Sequence, residues 1–443
     1  MRRRDYIKLV PVGVAGFAGC TGDGGQGGSN DSGGGNDSGG SAQRSTLELW
    51  HDKGQNPNWN PAFEATIPTL NELIEGDFQV EAVPYQSTDS YQGALRPVFG
   101  SNDGPAVFSW WTGARLRNVA KDGYAQDITD VWKSHVDAGE YTEGMMDTFS
   151  VDGSAYGIPS QLAYWPVWYN TETFNDLDVE PPDTWDKFDQ LCQTIVDDSS
   201  DTAPIAMPLS PSWTGFVWYQ ELLVKQNPDF YNRLCQGNAK YTEQPSVDAL
   251  ARIRQLATDG YFGDVNSAFS MALDDLPNVM EDGSYAMMLM GSWVSGSWTG
   301  DLDFGNYDWF ALPPLDNSLG DQLIIEPGPF VPHAGHPATE RVTETANKLL
   351  STEFQQAWNE EQGFISANQK VDTSYLSDTK ASLAEAVNSG DYSFPLRYWE
   401  NTSPEVAVPA AKTMAQAYRP NQSNPEAIAQ QLEQIRQDVY GDV

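Results

Sequence analysis

Stretches that alternate apolar and polar residues take turns with stretches whose apolar residues recur every three or four, an order that predicts an α/β protein. The length, 443 residues, exceeds what one compact core holds and predicts two or three domains. A composition of 40% hydrophobic and 12% aromatic residues is enough to fill those cores, which excludes wholesale disorder. Residues 46–50 (Thr-Leu-Glu-Leu-Trp) alternate as a half-buried strand does. Residues 68–75, stopped by Gly76, read as the end of a helix, and residues 78–83 alternate again. Residues 106–110 form a short apolar run after Asp103-Gly104-Pro105, as a buried strand entered from a turn should. Residues 185–196 are helix-like. Residues 245–259 carry Val247, Leu250, Ile253 and Leu256 at helical spacing and stop at Gly260. Residues 340–361 continue the helical period with an interruption near Ser351, and residues 425–439 set Ile428, Leu432 and Ile435 on one face.

The N-terminus reads as a targeting segment. Arg2, Arg3 and Arg4 precede an apolar run at residues 9–19, which as a helix reaches about 16 Å, roughly half a ~30 Å hydrocarbon core. The paired arginines resemble a twin-arginine export signal. Phe17-Ala18-Gly19-Cys20 resembles a lipobox, which makes Cys20 the lipidation residue; an ordinary secretory peptide with a chance cysteine is the plainer alternative. Residues 21–45 hold ten glycines among Ser, Asn, Asp and Gln, the composition of a flexible tether. The expected order is therefore export signal (1–19), lipid-anchored tether (20–45) and globular body, held at the outer face of a cell membrane.

Charge excludes more than it assigns. Against 62 Asp and Glu stand 25 Lys and Arg, a formal charge of -37, so little here could neutralise a run of phosphates or an anionic lipid surface. Cleavage before Cys20 leaves 21 basic and 61 acidic residues, a formal -40. Such acidity suits molar salt, where the Debye length is about 3 Å and self-repulsion is screened; the body reads as halophilic and archaeal, with an acidic mesophile as the bland alternative. Cys192 and Cys235 could pair in an oxidising exterior or stay as buried free thiols, and the sequence leaves both open. Sequons begin at Asn30, Asn36, Asn401 and Asn421, which allows surface glycosylation.

Signs of catalysis are few. Of four histidines, His333 and His336 share a Pro/Gly-rich segment that reads as a solvated loop rather than a metal pair. There is no phosphate-cradling Gly-rich loop ending in Lys-Ser/Thr and no Gly-x-Ser-x-Gly elbow. A glycosidase needs two carboxylates, which cannot be singled out among 62. Fifteen tryptophans are the distinguishing feature, several of them beside strand ends: Trp50, Trp110, Trp111, Trp165, Trp168, Trp213, Trp218, Trp293 and Trp298. Core packing accounts for any one of them, Trp168 and Trp218 above all. As a set they suit pyranose rings, which offer C–H patches on one face and hydroxyls at the rim.

Seven stretches in order resemble the extracellular sugar-binding proteins of ABC importers, the maltose- and glucose-binding types. They are residues 46–50, 104–111, 123–128, 156–159 leading to 168–170, 181–188, 280–287 with 290–293, and 328–332. Pro-x-Thr-Trp at 182–185 and Gly-x-Tyr-Ala-x-Met at 283–288 followed by Gly-x-Trp at 291–293 are the most telling.

The resemblance implies a two-lobed periplasmic-binding-protein-like α/β fold of the class II type, with a hinge and an interlobe ligand cleft. The N-terminal lobe would comprise residues 46–158 plus 308–353, and the C-terminal lobe 159–307 plus 354–443. Carried over by position, the ligand-binding residues would be Trp50, His51 and Asp52 at the first strand end, Trp110 and Trp111 in the next loop, Tyr164 and Trp165 after the crossover, Trp213 as a platform, and Ser292 with Trp293 in the Gly-x-Trp turn. Where the glucose-binding type has Asp before that tryptophan, here stands Ser292; its histidine in the Trp111 loop is tryptophan here, and its C-terminal histidine position falls near Pro404. These departures point away from strict glucose specificity toward a larger or different sugar. The implied partners are a small-molecule sugar and permease subunits, with no cofactor, no metal and no catalytic residue, in a monomer. The alternatives are a secreted hydrolase or lectin, or the same fold binding a polyol, glycerophosphodiester or peptide. Few basic residues near the aromatic loops (Lys53, Arg115 and Arg117) weigh against a strongly anionic ligand.

Overall fold

A computed structural model describes residues 44–54, 59–101, 103–198, 201–297, 304–419, 421 and 424–442. The export signal, residues 20–43 of the expected tether (Cys20, Asn30 and Asn36 among them) and Trp298 lie outside them; the last two tether positions, Arg44 and Ser45, are described, and Ser45 opens the first strand. Strands β1 (Ser45–His51), β2 (Phe78–Pro84), β3 (Val107–Ser109), β4 (Ser150–Val151), β5 (Ser154–Ala155), β6 (Ile158–Tyr164), β7 (Val167–Asn170), β8 (Ala203–Ala206), β9 (Tyr285–Leu289), β10 (Tyr307–Phe310) and β11 (Ile325–Pro332) build two principal sheets. The first has the order β2-β1-β3-β11-β6 and the second β10-β7-β9-β8, while β4 and β5 form a small hairpin.

In β1 the alternation expected from the sequence turns Leu47, Leu49 and His51 inward. Its parallel pairing with β2 and β3 requires crossovers, which helices α1 (Trp59–Leu73) and α2 (Thr88–Val98) supply. The helix whose end was legible at residues 68–75 starts at Trp59 and runs through Pro68. Glu64 and Pro68 both lie on its exposed face, so the carbonyl that proline leaves unpaired meets water. Trp59, Ala62, Phe63, Thr66 and Leu70 face inward at helical spacing. A capping box between Ser87 and Ser90 starts α2.

The interruption at Ser351 is a cap. Its backbone is extended, and its Oγ accepts from the Phe354 amide at 3.3 Å, separating helices Thr339–Leu350 and Thr352–Gln362. Gly363, at φ +60°, ends the second helix in the left-handed region. In the second sheet every residue of β9 is buried, and the Trp168 indole donates to the Met290 carbonyl at 2.9 Å. Trp168 and Trp218 are core residues, as their surroundings in the sequence suggested.

The chain leaves the first sheet after Tyr164 and enters the second at Val167; it leaves the second after Phe310 and rejoins the first at Ile325. Residues 158–164 thus belong to the first sheet and 307–310 to the second, across the divisions that the resemblance implied at 158/159 and 307/308. Pro159 sits opposite the bulge at Gly328/Pro329, where the ladder is already irregular.

Other expectations are corrected by burial. His333 is no solvated loop residue: it directly follows β11 at 1% exposure, with its ring nitrogens 3.2 Å from the Pro105 and Phe99 carbonyls. Cys192 and Cys235 are both free and buried, and burial pushes both thiols up, Cys235 to about 12. Asn401 is buried, its amide 3.3 Å from the Asn232 side chain, so its sequon is closed to glycosylation in the folded state.

Candidate functional site

Three tryptophan-bearing loops begin where strands of the two sheets end. Trp110 and Trp111 follow β3, Trp213 lies in the short 3-10 helix Ser212–Phe216 after β8, and Trp293 in the 3-10 helix Ser292–Ser297 after β9. In open α/β sheets ligands sit beyond the carboxyl ends of strands, and these side chains line a cavity of about 1340 Å³ there. Gln161 of β6 and Glu326 of β11 add polar groups from the first sheet, and Arg397 and Trp399 come from the C-terminal segment.

Each loop is tied down. The Trp110 amide donates to the Pro329 carbonyl at 2.8 Å, and its indole donates to the Arg115 carbonyl at 3.0 Å. The Thr112 hydroxyl reaches the Pro327 carbonyl at 3.0 Å. Helix α3 (Gly113–Lys121) then carries Arg115 into the wall, its guanidinium 4.8 Å from the Trp111 ring and 5.5 Å from Trp399. Burial pulls the Arg115 pKa down, against the more distant carboxylates of Glu400 and Glu405.

Opposite, Trp165, Trp213 and Trp293 form an edge-to-face triangle with ring centres 6.1–6.4 Å apart. Glu326 is the polar centre of this cluster. Its Oε2 accepts from the Trp165 and Trp293 indoles at 3.0 and 2.9 Å and pairs with Arg397 at 2.8 Å. Arg397 also clasps Glu400 through two bonds of 2.7 and 2.6 Å. Burial alone would lower the Arg397 pKa, but the Glu326 and Glu400 carboxylates raise it above its ordinary value, so the guanidinium stays charged.

Of the ten residues expected from sequence, Trp110, Trp111, Trp213 and Trp293 share the cavity wall. Trp165 is buried behind Trp213 and Trp293. The Ser292 hydroxyl accepts from the Tyr164 amide at 3.3 Å, and the Tyr164 ring packs on Phe394. Trp50 bonds Glu48 and packs on Tyr85. Asp52 accepts from Thr88, a wall residue, at 3.0 Å and from Ser109 at 3.4 Å. Glu326, Arg397 and Trp399 were not singled out in the sequence. The Arg397-x-x-Glu400 spacing was a visible signal; the partner at Glu326 was not.

His51 is buried and stacked on Phe63 at 4.1 Å. Burial pushes its pKa down to about 4; Asp52 opposes this and Lys53 assists. In the unfolded chain the ring regains a value near 6.5 and takes a proton that the folded state refuses. The contribution is thus fully present above pH ~6.5 and is lost as the pH falls toward 4. Denaturant midpoints measured across that window should show a shallower acid decline for His51→Phe than for wild type.

A mixed α/β fold with an aromatic cavity between strand ends of two sheets defines the two-lobed, periplasmic class of solute-binding proteins. The chain belongs to the family of bacterial extracellular solute-binding proteins, whose profile matches residues 56–356. An uncharacterised ABC transporter extracellular-binding protein of Pyrococcus horikoshii is 30% identical over 303 residues, 66% of this chain. Those residues span 64% of that relative, less than two thirds of its length. Among solved structures, a bacterial solute receptor described as preferring β-D-galactopyranose aligns with a TM-score of 0.77 at 17% identity, over 90% of this chain and 100% of that one. A chitin oligosaccharide binding protein aligns at 0.75 and 18% identity, over 88% and 98%. At these identities the likeness is one of fold. No helix among the described residues is long and apolar enough to cross a membrane.

Proposed function

We propose that the protein captures a sugar in the tryptophan-lined cleft and delivers it to the permease of an ABC importer, without chemistry on the solute. The observation that carries this reading is the pairing of Trp110 and Trp111 with Trp213 and Trp293 across one cavity, with Glu326 among them as a fixed acceptor. Flat apolar rings take the C–H faces of a pyranose, and a buried carboxylate takes its hydroxyls. Two solved structures of the same fold, described as a receptor that prefers β-D-galactopyranose and as a chitin oligosaccharide binding protein, support a saccharide. A cavity of about 1340 Å³ exceeds the ~300–1,000 Å³ usual for small-molecule sites and favours more than one ring.

Capture proceeds by hinge closure about the two stretches where the chain changes sheet, residues 165–166 and 311–324. The ligand favours the closed form because it touches both walls, and the permease then distinguishes loaded from empty protein. The body works as a monomer on the outer face of the membrane, exported in folded form through the paired arginines, anchored at Cys20, and acidic because its medium is salty.

Trp293→Ala should weaken saccharide binding by about 1–3 kcal/mol while the protein stays folded. Titration of wild type and variant measures this, and equal affinity in both would remove Trp293 from the site.

A further inference from the structure

We infer that the solute is an acidic saccharide, of the uronic-acid type, whose carboxylate is received by Arg115. This rests on the saccharide reading above and narrows its ligand class, and it departs from the expectation, drawn from the few basic residues near the aromatic loops, of a ligand without strong negative charge. Arg115 is 8% exposed and lines the cavity. Among the described residues, its guanidinium has no hydrogen bond and no carboxylate within ion-pair distance, and its Nε is enclosed without an acceptor. Its recorded contacts are with the faces of Trp111 and Trp399, which leaves the in-plane N–H edge for another group.

The contrast with the other buried arginines is informative. Arg397 holds Glu326 and Glu400, and Arg436 holds Glu433 together with the Gly237 and Gly441 carbonyls. In a chain with 62 acids to 25 bases, an arginine buried without a carboxylate is the exception. The nearest candidates are engaged elsewhere: Glu400 by Arg397, and Glu405 by the Ser403 hydroxyl. A buried charge is costly unless it is paired, and a planar guanidinium fork matches the two oxygens of a carboxylate.

The surrounding wall tolerates a negative group. Lys53, Arg96, Arg115 and Arg397 balance Asp122, Asp274, Glu326 and Glu405 along it, although the whole chain carries -37. Of these cations Arg397 is already neutralised by Glu326, and Lys53 lies 3.7 Å from Asp52. Arg96 is exposed and bonds the Gln92 amide oxygen at 3.2 Å, which leaves Arg115 as the buried cation in the aromatic part of the wall that an incoming carboxylate can pair. One acidic ring placed there leaves Trp213 and Trp293 for a neighbouring ring.

The test is calorimetric titration with mono-, di- and trisaccharides of galacturonic, glucuronic and mannuronic acids, each beside its neutral parent sugar. At least one acid should bind roughly 10–100-fold more tightly than its parent. Arg115→Gln should erase that preference, and Arg115→Lys should keep part of it. A neutral sugar bound as tightly as its acid, or an acid affinity unchanged in Arg115→Gln, overturns the inference and leaves the saccharide reading standing. Silence toward every acid and every neutral sugar overturns both. Should Arg115→Gln fail to fold, the acid-to-neutral ratio in the wild-type protein decides by itself.

Discussion

Arg397→Met should destabilise the folded protein by about 3–5 kcal/mol, the largest effect expected of any single exchange in the cleft. Its guanidinium is buried between Glu326 on β11 and Glu400 three residues along, and it also lies 5.4 Å from the Trp165 ring. Methionine keeps the apolar stem and removes the charge, leaving two carboxylates enclosed without their cation. An unpaired buried charge loses its solvation with nothing in return, so the loss exceeds what an exposed pair contributes, about 0–1 kcal/mol. Denaturant unfolding near neutral pH measures it. A change under about 1 kcal/mol would mean that the two carboxylates reach water and that the cluster is no rigid floor for the cleft.

Gly113→Ala should cost about 2–5 kcal/mol, from roughly 1–3 for overpacking and 1–2 for the backbone. Gly113 opens α3 at φ +62°, where a side chain is strained whatever the space around it. A Cβ there would also lie 2.2 Å from the Glu400 carbonyl oxygen and 2.7 Å from its carbonyl carbon, backbone atoms that cannot swing aside. The same contact sets the distance between α3, which carries Arg115, and the segment that carries Arg397 and Trp399. Binding should therefore weaken along with stability. A variant with wild-type midpoint and affinity would contradict this close approach.

The local pattern of the fold was legible because it depends on neighbours in sequence. The alternation of β1, the helix break at Ser351 and the final helix Pro425–Tyr440 need only nearby side chains to be read. Sheet membership was less so. The resemblance divided the lobes at 158/159, whereas Ile158–Tyr164 pairs with Ile325–Phe330, and nothing in the sequence joins positions that far apart. The site divides in the same way. Trp110, Trp111, Trp213 and Trp293 were identifiable as aromatic residues in loops, and the resemblance to a known family placed them together. Glu326 could not be told from 61 other acids, because its three donors come from Trp165, Trp293 and Arg397, each distant in sequence. His333 was misread for the same reason: its Pro/Gly-rich surroundings suggest a loop, while the Phe99 and Pro105 carbonyls that enclose it lie more than two hundred residues away.

The central claim is that the tryptophan-lined cleft holds a saccharide and leaves it unchanged. A thermal-shift panel of neutral and acidic mono- and oligosaccharides at high salt, with each bound sugar recovered and analysed, tests it most directly. At least one saccharide should raise the melting temperature in a concentration-dependent way, come back chemically intact, and lose much of its effect in Trp293→Ala. No shift with any saccharide, or recovery of cleaved products, would contradict it.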